Sequence, residues 1–287
     1  MKRIGFVGVG IMGKSMARNL MKAGFKVDFF ARNREKAADL IAEGARFHET
    51  IGDCVKGADT VITIVGYPAD VEEVYLAPGN IFDSAAPGTY LIDMTTSSPA
   101  LAERLHALGI QRGLRVLDAP VTGGDVGAKN GTLSILVGGE RGDFDACMPI
   151  FQAMGANINH LGAAGCGQHA KLANQIMIAG ALSGVCEALA YAKAKGLDLP
   201  TLSAAVATGA AGSRQLDNLG PKIMKGDYAP GFFAKHFIKD MRLAVEEAER
   251  SGLALDVLGQ VLGNFEGLAE AGYADLGTQA LIKHYEK

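Results

Sequence analysis

Between Gly167 and Glu187 the sequence runs Gly167-Gln168-His169-Ala170-Lys171-Leu172-Ala173-Asn174-Gln175, then almost without charge from Ile176 to Cys186. So apolar a helix is normally core, and a lysine in its first turns must reach water or find a polar task. Lys171, Asn174 and Gln175 stand at i, i+3 and i+4, which stacks an amine and two carboxamides on one side of that helix. A partly desolvated lysine can act as general acid or base, because burial disfavours its charged form and moves its acidity toward working pH. In alcohol oxidation hydride leaves the substrate carbon while a base takes the hydroxyl proton; in reduction the same group returns it. Lys171, with Asn174 one turn on to hold the same oxygen, fits that task; a lysine snorkelling at a helix end is the alternative. His169 is next to Lys171 but points about 100° round the helix, and reads as a surface or packing histidine.

A second constellation opens the chain. The apolar run Ile4-Gly5-Phe6-Val7 leads directly into Gly8-Val9-Gly10-Ile11-Met12-Gly13, and a helical stretch from about Ile11 to Ala23 ends at Gly24 before a strand from Lys26 to Ala31. In this setting Gly8 permits the tight turn, Gly10 lets the backbone approach a pyrophosphate, and Gly13 lets helix and strand pack closely. The amides at the helix start, Ile11 and Met12 among them, then bind phosphate. The second strand ends Phe29-Phe30-Ala31-Arg32-Asn33-Arg34. Asp28 lies too early to bond the ribose hydroxyls, whereas Arg32 and Asn33 offer donors for a 2′-phosphate, which favours NADP(H) with NAD(H) as the alternative. An ordinary solvated basic turn would read the same way.

The elements that position these groups follow in order. Thr60 to Val65 and Tyr90 to Met94 are continuous apolar runs of the kind buried parallel strands show, and their following segments fall at the carboxyl edge of the sheet, where ligands bind. Thr96 is there either to face a nicotinamide or to cap the helix expected around Leu101 to Leu108. Thr122-Gly123-Gly124 follows another strand; its bare amides could hold a carboxylate or simply make a turn. From about Gly162 the strand–helix alternation stops and long helical periods take over, around Thr201 to Thr208, Ser213 to Met224, Phe233 to Ser251 and Asp256 to Ala271. Lys239, among Phe232, Phe233 and Phe237, is either functional or part of a solvated face. The expected organisation is α/β, with a Rossmann-type dinucleotide-binding domain over 1–162 and an all-α domain over 163–287 for substrate binding and oligomerisation.

With 287 residues, 48% hydrophobic and 21% charged, the chain can bury two cores. A net charge of −3 gives no bulk attraction for nucleic acid or an anionic membrane. Cys54, Cys147, Cys166 and Cys186 have no metal-ligand spacing and read as reduced, mostly buried thiols. The first apolar run is too short for a signal-peptide core, so the cytoplasm is expected.

Phe6 through Gly13 with Met16-Ala17-Arg18-Asn19-Leu20, Asp118-Ala119-Pro120-Val121-Thr122-Gly123-Gly124, Gly167 through Lys171 to Asn174-Gln175, and Lys239-Asp240 together resemble the four ordered motifs of the β-hydroxyacid dehydrogenase family. That family contains 3-hydroxyisobutyrate dehydrogenase and tartronate semialdehyde reductase, with the fold of 6-phosphogluconate dehydrogenase, and the likeness covers essentially the whole chain. It implies that Lys171 is the catalytic lysine and Asn174 its orienting partner. It further implies that Thr122, Gly123, Gly124 and Ser213 bind substrate, that Thr96 and Lys239 contact the nicotinamide end, and that Val65, Gly66 and Asp70 lie along the dinucleotide. Arg214 stands where many relatives carry an aromatic residue. The reaction implied is NAD(P)-dependent interconversion of a short β-hydroxy acid and its semialdehyde, in the cleft between domains of a homodimer or homotetramer. An idle dinucleotide-binding protein or an imine reductase on the same fold are the alternatives.

Overall fold

Alternating strands and helices build the first part of the chain. In the computed structural model, which describes residues 2–286, β1 (Arg3–Val7) is followed by α1 (Ile11–Lys22), β2 (Lys26–Phe30), α2 (Ala38–Ala42), β3 (Arg46–His48), α3 (Ile51–Val55) and β4 (Thr60–Thr63). Next come α4 (Pro68–Leu76), α5 (Ile81–Ser84), β5 (Tyr90–Asp93), α6 (Pro99–Gln111), β6 (Arg115–Asp118), β7 (Val121–Thr122), α7 (Gly124–Asn130), β8 (Leu133–Gly138), α8 (Arg141–Met154) and β9 (Gly155–Gly162). The strands form one sheet in the order β3-β2-β1-β4-β5-β6-β8-β7, with β9 also paired to β8. Every pairing from β3 to β6 is parallel, while β8 runs antiparallel to β6 and β7.

Side chains of a strand alternate between faces, so unbroken apolar runs bury both sides of the sheet. Phe6, Ile62, Ile92 and Leu117 join Met16 and Leu20 of α1 and Phe144 and Phe151 of α8 in one cluster. Their chain neighbours Val7, Val61, Leu91 and Val116 join Ile51, Val71, Tyr75 and Leu105 of the helices on the other face. Cys54 and Cys147 are buried in this unit, and burial pushes both thiols up to about 12.

Contact density divides the chain after Lys171. α9 (Cys166–Ala194) starts in the first unit and continues through the second, where α10 (Leu199–Ala207), α11 (Arg214–Met224), α12 (Ala234–Arg250), α13 (Asp256–Leu268) and α14 (Ile282–Tyr285) follow. Leu182, Cys186 and Leu189 of α9 pack with Phe237 and Met241 of α12 and Phe265 of α13, the two phenylalanines edge to face at 5.2 Å. By length and composition α9 could cross a bilayer; Leu182, Cys186 and Leu189 on one side of it are buried in the core of the second unit. The last long helix was expected through Ala271; it ends regular geometry at Leu268, and Gly272 takes φ +88°.

The turn from β1 to α1 is packed as its glycines require. Gly8 has φ +104°, and a Cβ there would overlap the Ile64 carbonyl oxygen; a Cβ on Gly13 would overlap the Gly8 carbonyl oxygen. A Cβ on Gly10 would meet no heavy atom within 4 Å. Gly13→Ala should therefore lose about 1–3 kcal/mol in denaturant unfolding through overpacking, whereas Gly10→Ala should lose less than about 1 kcal/mol.

Candidate active site

Parallel register places the carboxyl ends of five strands side by side: Phe30 pairs with Val7, Val7 with Thr63, Thr63 with Asp93, and Asp93 with Asp118. From this one edge leave Arg32 and Asn33, Gly8 to Gly13, Val65 and Gly66, Thr96, and Thr122 to Gly124. Ligands of open α/β sheets bind outside such an edge.

The start of α1 is suited to an anion. Gly10 is its N-cap residue with no capping side chain, its first turn holds no acidic residue, and Ile11 is 54% exposed. Uncapped amides at a helix N-terminus carry partial positive charge. Among the described residues no packed neighbour lies within 4 Å of a Cβ placed on Gly10, which leaves room for the diphosphate of a dinucleotide. Past β2, Arg32 is exposed and makes no ion pair among the described residues, while the Asn33 side chain accepts from the Lys36 amide at 3.0 Å. Asp28 is buried, accepting from Arg3 at 2.6 Å and bonded to His48 at 2.7 Å. Burial raises its pKa, but these bonds outweigh that and leave it below the ordinary value. This carboxylate is committed inside the protein.

Val65 donates its amide to the Thr95 hydroxyl at 3.0 Å, which ties the loop after β4 to the loop after β5. Asp70 accepts from the Tyr67 amide at 2.9 Å and so closes the start of α4. Thr96 does not cap α6; Ser98 does, accepting from Leu101. Ser213 caps α11 through Leu216, with Arg214 exposed beside it. Gly123, at φ +130°, and Gly124, at φ +65°, make the turn from β7 into α7, and both are exposed.

Lys171 is buried, 7% exposed, and His169 is exposed. Three residues before Lys171, Gln168 accepts from the Ser97 amide at 2.8 Å and donates to the Thr95 carbonyl at 2.7 Å. Asp118 accepts from the amides of Gly165 and Gln168, each at 2.8 Å. The loop carrying Thr96, the segment leading to Thr122–Gly124 and the turn carrying Lys171 are thereby joined within one unit. In the other unit Asn174 donates to Gln175 at 2.8 Å, Gln175 donates to Asp240 at 2.6 Å, and Lys239 pairs with Asp240 at 3.0 Å. Gln168 and Asp118 in these roles, and the buried Gln175–Asp240 pair, have no signal in sequence beyond their place in the motifs, because their partners are distant in the chain.

Asp93, at the same sheet edge, accepts from the Thr63 hydroxyl at 2.8 Å and the Thr95 amide at 3.1 Å. Since Thr63 gives its one hydrogen to Asp93, the Tyr75 hydroxyl 3.1 Å away donates to Thr63. Burial pushes Asp93 up to about 6 in spite of these bonds, and the neighbouring Asp118 charge adds to the rise. A folded-state value above the unfolded one gives stability that is full below about pH 4 and lost as pH rises through about 6. Wild type should therefore lose about 3 kcal/mol more than Asp93→Asn between about pH 4 and 8, read from chemical unfolding at several pH values.

Likeness to known proteins extends over both parts of the chain. A family model described as the NAD binding domain of 6-phosphogluconate dehydrogenase matches residues 3–162, and one described as NAD-binding of NADP-dependent 3-hydroxyisobutyrate dehydrogenase matches residues 165–285. The uncharacterized oxidoreductase YkwC of Bacillus subtilis is 49% identical, covering 100% of this chain and 99% of its own. The NAD-dependent L-serine dehydrogenase of Pseudomonas aeruginosa is 37% identical, covering 100% and 98%. Among solved structures, Mycobacterium tuberculosis 3-hydroxyisobutyrate dehydrogenase with L-serine superimposes with a TM-score of 0.91 at 30% identity over 100% of both chains. An imine reductase from Pseudomonas, at 19% identity and TM-score 0.64 over 99% of both chains, shares the fold alone. The chain belongs to the 3-hydroxyisobutyrate dehydrogenase family of NAD(P)-dependent hydroxyacid dehydrogenases.

Proposed function

We propose that this protein interconverts a short β-hydroxy acid and its semialdehyde, preferring NADP(H), with Lys171 as general acid and base. The observation that carries the reading is a buried amine in a turn hydrogen-bonded to the two loops that, by family likeness, hold nicotinamide and substrate. Bound nicotinamide supplies or accepts the hydride. Residues 1–162 serve the cofactor: Gly8 and Gly13 shape the turn in which Gly10, Ile11 and Met12 hold its diphosphate, Val65, Gly66 and Asp70 lie along it, and Thr96 contacts its nicotinamide end, as does Lys239 from residues 163–287. Asp70 contributes through the α4 turn it closes. Residues 163–287 complete the substrate site and the expected homodimer or homotetramer.

Thr122 and the amides of Gly123 and Gly124 hold the substrate carboxylate, with Ser213 contributing from the start of α11. A fixed carboxylate presents the carbinol oxygen to Lys171 at constant geometry. In reduction the Lys171 ammonium gives that oxygen its proton; in oxidation the neutral amine removes it. Asn174, oriented by Gln175 and through it by Asp240, holds the same oxygen. Preference for NADP(H) is supported by exposed Arg32 beside Asn33, two donors for a 2′-phosphate, and by the commitment of Asp28 elsewhere.

Lys171→Ala should abolish turnover while NADPH binding, followed by fluorescence titration, stays within about twofold; retained turnover would refute the assignment. A panel of 3-hydroxyisobutyrate, 3-hydroxypropionate, serine, glycerate, 4-hydroxybutyrate and the corresponding aldehydes, run with both cofactors, tests substrate and preference together. Arg32→Ala should raise KM for NADPH by about 10- to 100-fold and leave that for NADH nearly unchanged. Equal rates with both cofactors in wild type would end the preference, and cofactor binding without turnover on any substrate would return the idle-protein alternative.

A further inference from the structure

Two residues that the proposed reaction does not use fix the start of α9. The Asp118 side chain, 3% exposed, takes the amides of Gly165 and Gln168 on separate oxygens. A long helix is thus capped by a strand end far back in the chain rather than by the residue before it. Gln168, completely buried, returns the tie by bonding the Ser97 amide and the Thr95 carbonyl. Glycines remove the remaining slack. A Cβ on Gly167 would overlap the Leu136 carbonyl oxygen and lie 2.7 Å from the Asp118 carbonyl oxygen. A Cβ on Gly138 would lie 2.5 Å from Asp118 Oδ1 and 2.7 Å from the Gly167 nitrogen. The helix start therefore sits in backbone contact with the ends of β6 and β8.

We infer that Asp118 and Gln168 are positioning residues for the Lys171 amine, a cross-strand cap and a carboxamide clamp that hold the first turns of α9 in one place against the ends of β5 and β6. Asp118 opens the segment whose Thr122, Gly123 and Gly124 are proposed to hold the substrate carboxylate, so one short stretch of chain spaces the substrate from the proton donor. The inference rests on the reading of Lys171 as acid and base. Misplacing a reacting group by about 1 Å can cost about 10²-fold in rate.

The test compares Asp118→Ala, Asp118→Asn, Gly167→Ala, Lys171→Met and the double variant Asp118→Ala/Lys171→Met. Each is checked first by thermal melting and NADPH titration. Asp118→Ala and Gly167→Ala should bind NADPH within about twofold of wild type, lose about 10²-fold in kcat and change substrate KM by less than about threefold. Asp118→Asn, which keeps one acceptor oxygen in place, should recover about tenfold of the loss. The trace rate left in Lys171→Met, read at high enzyme concentration over long times, should fall by less than about twofold when Asp118→Ala is added, because residues acting through one group are not additive. If Asp118→Ala does not fold, Gly167→Ala and Gln168→Met carry the same expectations. Wild-type kcat in the folded variants, loss of NADPH binding in parallel with kcat, or an equal loss with and without Lys171 would overturn the inference. Turnover retained by Lys171→Met alone would instead overturn the assignment of Lys171, so the two failures are distinct.

Discussion

Five parallel strands end side by side, and the segments after Phe30, Val7, Thr63, Asp93 and Asp118 all leave the sheet at that edge. Backbone hydrogen bonding sets this register, and slipping a strand by one residue would turn its apolar side chains to the wrong face. Because both faces are covered, neither alternate set of strand residues can move without opening a core. The loops inherit their spacing from the sheet. Residues as far apart in sequence as Gly10, Thr96 and Gly123 are brought to one edge without any contact among themselves being needed.

Polar groups along that edge divide into two kinds. Asp93, Asp118 and Gln168 face inward and are hydrogen-bonded there. Such groups are costly to bury and correspondingly strict about geometry, since a half-satisfied buried group is destabilising. The uncapped start of α1, exposed Arg32 and the exposed residues Gly123 and Gly124 lie on the outer side. The carboxylates of Asp93 and Asp118 are consumed within the protein, while the uncapped start of α1 and Arg32 remain as donors suited to an anionic cofactor.

The parts of this arrangement that could be read from sequence are those set by local chemistry. Strand, glycine turn and helix at Ile4 to Ala23 follow from apolar continuity and the steric needs of Gly8 and Gly13, and the long helix around Lys171 from its unbroken periodicity. Boundaries were less legible where several residues could do the same job. Thr96, Ser97 and Ser98 all offered a hydroxyl ahead of Pro99, and only the fold selects Ser98 as the cap. α10 begins at Leu199, two residues before the Thr201 expected, because Asp198 caps it and Pro200 suits a first turn. β3, only three residues long, and β9, eight residues long, carry mixed polar sequence and take their form from neighbours, so periodicity does not reveal them. Asp118 with Gly165 and Gln168, and Gln175 with Asp240, are pairings across tens of residues, for which composition and spacing hold no information.

Burial of three of the four cysteines has a chemical consequence. Thiolates add to aldehyde carbonyls and are oxidised stepwise by peroxides, and both reactions require the ionised sulfur. Cys54, Cys147 and Cys186 are buried and pushed up to about 12. At neutral pH only on the order of one in 10⁵ of each is ionised. The cores of both units therefore carry these three sulfurs as inert filling, guarded against electrophiles and peroxides by burial alone.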